Sequence, residues 1–235
     1  MNRIITASIL SFIISGLPLM SIADHSEDHK IPTAHIGNSG SETVEVMREA
    51  ATTYGELLKN STGNVPSSVF AKSNCIAVVP NLTTAAVVVG GSHGDGVVSC
   101  RTSDLSWSAP AFFDLNAASL GAQVGAKSTK LVLFFTSKEA VASLKRGTFE
   151  LGADASVAAG TFDKSFDVGQ TGVIAYQQSS GAYVGASLVG GKLSSDVAAT
   201  RSYYGKSVEV ADLLEGRSEK VSTKGNPLLP LLPNV

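Results

Sequence analysis

The chain is 235 residues long, 43% hydrophobic and 16% charged, with a formal net charge of -2. An apolar share near the globular average and so little net charge exclude a disordered chain. Lysine and arginine number 18 against 20 acidic residues, which excludes a nucleic-acid binder driven by bulk charge; two cysteines exclude a disulfide-dense scaffold.

Met1-Asn2-Arg3 is a short positive start, followed by an apolar run over 4–22. Ser21-Ile22-Ala23 puts small residues where a signal peptidase reads, and the chain turns polar at Asp24. This layout predicts a secretory signal peptide over 1–23, cleaved between Ala23 and Asp24. An uncleaved anchor helix is the alternative, and Pro18 counts against it. The first cysteine is Cys75, far beyond the run, so a lipoprotein anchor is not expected. The product is expected to be exported, periplasmic or secreted, in a compartment that permits disulfides.

Residues 24–41 read as a flexible polar leader. His25, His29 and His35 lie there near carboxylates, but nothing fixes their geometry, so no metal site is expected. A helix is predicted from Ser41, with Val44, Met47, Ala51, Tyr54 and Leu58 at helical spacing. Pro66 opens a second short helix through Lys72.

The texture then becomes strand-like. Short apolar runs over 75–79, 85–89 and 96–100 are bounded by Pro80-Asn81 and by glycines. The glycine-rich stretch 90–96 predicts a hairpin connection. Its Gly90-Gly91-Ser92-His93-Gly94 also matches the G-x-S-x-G nucleophile elbow, but strands flank it on both sides and no histidine follows His93. Cys75 and Cys100 are expected to pair in an oxidising compartment, with two buried thiols as the alternative. Trp107-Ser108-Ala109-Pro110 is a packing corner or a membrane-facing aromatic.

Further strands are predicted over 111–115, 119–126, 130–135, 148–160, 173–178 and 181–189. A phosphate loop at 121–128 is set aside because Lys127 is displaced from the required Gly-Lys pair. Ser137 caps a helix to Leu144, and short helices are expected over 196–204 and 208–214. Lys127, Lys130, Lys138, Lys145, Arg146 and Lys164 face only four acidic residues over 127–164. They form a candidate surface for lipid phosphate, with an ordinary solvated face as the alternative. The tail over 227–233 carries proline at every third residue, which forbids regular helix or sheet; it is expected to pack on the domain.

Six blocks, in order, resemble the SYLF domain family. They are Cys75-Ile76-Ala77-Val78-Val79-Pro80; Gly90-Gly91-Ser92-His93-Gly94-Asp95-Gly96-Val97 with Trp107-Ser108-Ala109-Pro110; Ser119-Leu120-Gly121-Ala122-Gln123-Val124-Gly125-Ala126; Leu151-Gly152-Ala153-Asp154-Ala155-Ser156-Val157-Ala158-Ala159-Gly160; Ser180-Gly181-Ala182-Tyr183-Val184-Gly185-Ala186-Ser187-Leu188; and Ser202-Tyr203-Tyr204-Gly205. The resemblance covers roughly 44–215. It implies a non-enzymatic phospholipid-binding module, related to fungal actin-binding domains. Lys127, Lys130, Lys145, Arg146 and Lys164 are the candidate lipid contacts. An exported chain does not meet cytosolic actin, so the expected partner is phospholipid or an anionic membrane surface. No nucleic acid, metal or cofactor is expected. The alternatives are a structural envelope protein that binds another protein and, less favoured, a serine hydrolase using Ser92 and His93.

The expected fold is α+β: N-terminal helices, then a twisted, mostly antiparallel, barrel-like sheet with short helices. The expected organisation is signal 1–23, leader 24–41, domain 42–215 and tail 216–235.

Overall fold

The computed structural model describes residues 39–60, 65–86, 89–120, 125–151, 155–157, 172–180, 190–205, 208–218, 221 and 226–234. The proposed signal segment, residues 24–38 of the leader with its histidines, and the whole strand expected over 181–189 lie outside them, whereas residues 39–41 of the leader belong to the first helix.

Helix α1 spans Ser39–Asn60, starting two residues before the predicted cap. Helix α2 spans Ser67–Lys72, behind Pro66. Among the described residues eight strands then form one sheet: β1 Cys75–Ala86, β2 Val89–Cys100, β3 Ala111–Leu120, β4 Gly125–Phe135, β5 Thr148–Leu151, β6 Ala155–Val157, β7 Val173–Ser180 and β8 Gly191–Ser195. Their order is β5-β8-β3-β2-β1-β4-β7-β6, antiparallel except where β6 meets β7. Helix α3, Lys138–Lys145, starts at Ser137, whose side chain accepts from the Ala140 N–H, as the sequence predicts. Asp196 caps α4, Val197–Tyr204, in the same way. Helix α5 is Val210–Leu214.

Side-chain alternation sorts the core into two layers, one on each face of the sheet. Cys75, Ala77, Val79, Leu131, Leu133 and Phe135 face α3 and α5, joining Leu144, Leu213 and Leu214. Ile76, Val78, Val97, Val132, Phe134 and Tyr176 face the other way, against Met47, Ala50 and Tyr54 of α1. These stretches of the sheet are covered on both sides, and 75–79, 111–113 and 131–135 are accordingly apolar at every position. Cys75 and Cys100 sit opposite each other at the ends of β1 and β2 and form the expected disulfide.

Three strand expectations are corrected. Pro80-Asn81 does not end the first strand. β1 runs through it with one extra residue against both neighbours: Val78 pairs with Val97 but Thr83 with His93, and Val79 with Leu131 but Leu82 with Thr129. This is a β-bulge, where a proline is tolerated in a central strand. The glycine-rich stretch 90–96 is therefore not a hairpin connection but the interior of β2, lying against that bulge. A Cβ on Gly96 would stand 2.6 Å from the Val78 carbonyl oxygen, and one on Gly94 2.7 Å from that of Asn81. Only glycine allows the backbones to approach so closely. Finally, 119–126 is not one strand: β3 ends at Leu120 beside Val89, and β4 begins at Gly125 beside Ala86.

The proline-rich tail packs on the α1 layer. Leu228 and Leu232 are buried there around a 3-10 turn over Leu229–Leu231. Asn226 starts the turn by accepting the Leu228 and Leu229 N–H groups. Pro233 closes it, its carbonyl accepting from Trp107 Nε1 and from the Arg101 guanidinium, both at 3.0 Å.

Candidate functional site

A cleft of about 880 Å³ lies among the described residues between the second and third turns of α1 and strands β1, β2 and β3. Val46 and Glu49 form one wall; His93, Asp95 and Asn116 form the other. His93 Nδ1 lies 2.9 Å from Asn116 Oδ1, and its Nε2 lies 3.4 Å from Asp95. An adjoining pocket adds Glu42, Asp114 and Asp196. Burial first, then the Asp196 and Asp95 charges, push the Asp114 carboxyl above its usual range. Apart from His93, the titratable side chains lining these two pockets are carboxylates, which disfavours a phosphate there, while the next pocket along α1 adds Arg48 and Lys130, paired with Glu45 and Glu56. Among the described residues no cluster of ligating side chains is arranged to hold a metal.

Ser92 and His93 do not form a catalytic pair. They are neighbours on β2, so their side chains leave opposite faces of the sheet. Ser92 Oγ lies 2.7 Å from Thr84 Oγ1, whereas His93 faces α1 with Asn116. A general base must reach the proton that it removes, and here the sheet lies between them.

The basic candidates do not share one face. Lys130 leaves β4 on the α1 side and pairs with Glu56 of α1. Lys145 lies on the opposite side, at the end of α3, with its Nζ 3.8 Å from Glu215. Burial lowers its pKa. Arg146 is beside it, exposed, donating to Ser143. Lys127 is a β4 residue whose side chain lies outside the description, and Lys164 lies outside the described residues altogether.

A third feature went unweighed in the sequence: Arg101. Its guanidinium lies 4.4 Å from the Trp107 ring centroid and donates to the carbonyls of Ser73, Leu105 and Pro233. It has no carboxylate partner among the described residues. A single arginine after a cysteine gives no sequence signal of this role. Trp107 gave one, as the only tryptophan in the chain.

Comparison with known proteins places this architecture. The family described as Ysc84, "Las17-binding protein actin regulator", matches residues 116–234, half of the chain. Protein YSC84 of Saccharomyces cerevisiae is 32% identical over 176 residues, covering 72% of this chain and 37% of the yeast protein. The chain belongs to the SYLF, or Ysc84, family. Another yeast relative, LAS seventeen-binding protein 3, is 30% identical over 65% of the chain and 35% of its own length. The human SH3 domain-containing YSC84-like protein 1 is 28% identical over 65% of the chain and 46% of its own. The SYLF chain thus spans a third to a half of these relatives. No solved structure matches it.

Proposed function

We propose that this SYLF protein is an exported, non-enzymatic module that binds phospholipid at a membrane surface. The reading rests on family membership, since phospholipid binding is what the SYLF resemblance implies. The separation of Ser92 from His93 across the sheet supports binding over hydrolysis. Export rests on the signal-like residues 1–23, and the Cys75–Cys100 disulfide suits an oxidising compartment. The acidic cleft beside α1 is a poor place for a phosphate, so contact is assigned to the outer surface.

Co-sedimentation with phospholipid vesicles, neutral and anionic, tests this. The protein is expected to pellet with vesicles above a vesicle-free control. Failure to pellet with either kind contradicts the proposal.

A second reading is favoured by one relative's name: LAS seventeen-binding protein 3 is named for a protein partner. On that reading the domain captures a protein within the envelope, and capture that survives lipid removal supports it.

A further inference from the structure

We infer that the protein enters the bilayer interface through an apolar edge formed by the 102–106 turn and the C-terminal segment, led by Leu105, Trp107 and Leu231. This rests on the lipid-surface reading above and assigns it a place that the basic residues do not.

Leu105 carries the argument. It is 66% exposed, the most exposed large hydrophobic among the described residues. It also has φ +65°, alone among the described non-glycine residues in the left-handed region. Isolated exposed leucines are ordinary, but one held in a conformation that glycine adopts freely is not. Backbone strain held on an exposed tip points to function.

The turn is braced to hold that side chain out. The Leu105 N–H donates to Thr102 O at 3.0 Å, and the Thr102 N–H donates to Ser106 O at 2.9 Å. The Asp104 carboxylate accepts from the Thr102 and Ser106 hydroxyls and from the Ser106 N–H. These bonds pull its pKa down to about 2, so the brace stays charged at any ordinary pH.

Arg101 ties this turn to the tail. One guanidinium nitrogen donates to Leu105 O and another to Pro233 O, each at 3.0 Å, while the group stacks on Trp107. Two residues before Pro233, Leu231 is 43% exposed, although Leu228 and Leu232 around it are buried. The turn therefore offers an exposed leucine and a half-buried tryptophan beside a cation that has no carboxylate partner among the described residues, and the tail segment tied to it through Pro233 carries a second exposed leucine, beside Gly55 of α1.

That set matches a bilayer interface. Tryptophan sits at headgroup depth, leucines enter the acyl boundary, and a guanidinium lies level with phosphates. A few side chains on a protruding turn are too small a surface for a stable protein interface, which needs about 800 Å² on each side. They are enough for shallow insertion.

Leu105→Gly tests the inference. It removes the apolar tip and relieves the positive φ, so the variant should melt at or above the parent temperature. Its partition onto mixed phosphatidylcholine–phosphatidylglycerol vesicles should fall about fivefold to tenfold. Leu231→Ser, on the second exposed leucine, should weaken binding similarly with little change in melting. Loss of binding without loss of stability is what a merely structural role does not produce. If the parent protein pellets with vesicles and both variants pellet equally well, this edge is not the contact, while the lipid-surface reading stands. If the parent fails to pellet, both readings fall.

Discussion

Gly96 lies where β2 passes the Pro80-Asn81 bulge, and backbone atoms of β1 fill the space that a side chain would need. Gly96→Ala should therefore cost about 1–3 kcal/mol, the usual range for overpacking a tight core. Gly91 is the control. A Cβ there meets nothing closer than 3.9 Å, so Gly91→Ala should leave the denaturation midpoint nearly unchanged. Equal loss in both would contradict the bulge as the reason for glycine at 96. Asp114 makes the opposite case. It lies directly across from Asp95 in the β2–β3 ladder, with Asp196 close by. Its folded pKa is raised, so the protonated form suits the fold, and the carboxylate's stability deficit grows as pH rises through its ordinary range. Asp114→Asn should thus stabilise the protein at pH 7 by about 0.5 kcal/mol, read from urea midpoints, and the gain should vanish below about pH 3. The glycines show why sequence reading stopped short here. A glycine-rich stretch means either a turn or a close approach of two backbones. Only the register with Pro80-Asn81, some 15 residues earlier, decides between them.

At the scale of elements, the capped helices were the most legible. Ser137 and Asp196 each accept an N–H three residues on, a local signal that needs no tertiary information. The Cys75–Cys100 pairing was legible in outline, because both cysteines end apolar runs. β8 was not. Its Gly-Lys-Leu-Ser-Ser sequence holds one apolar residue, Leu193, and it exists because β3 and β5 pair with it on either side. The tail was half legible: proline spacing forbade regular structure, but not which leucines are buried. Leu228 is 1% exposed and sits with Met47 and Tyr54, so Leu228→Ala should cost about 2–4 kcal/mol in chemical denaturation. A loss below 0.5 kcal/mol would mean that the tail is not anchored there in solution.

Over the whole molecule, the low charge content follows from a sheet covered on both faces. Over 75–79, 97–100, 111–113 and 131–135 the central strands are buried on both faces, leaving no place there for charge. The same layering scatters the basic residues that sequence grouped together. Lys130 and Lys145 are close in the chain yet lie on opposite sides of the sheet, each beside a glutamate. A run of basic residues in sequence becomes a patch only if the fold keeps it on one face. The Arg101 edge is the converse: Arg101, Leu105 and Trp107 belong to one turn, and Pro233, more than a hundred residues on, meets them only in three dimensions. The most direct measurement is quenching of Trp107, the chain's single tryptophan, by vesicles whose acyl chains are brominated. Bilayer contact through this edge predicts quenching when vesicles are added, strongest for bromines near the headgroup. Vesicle binding with unquenched Trp107 emission would contradict it.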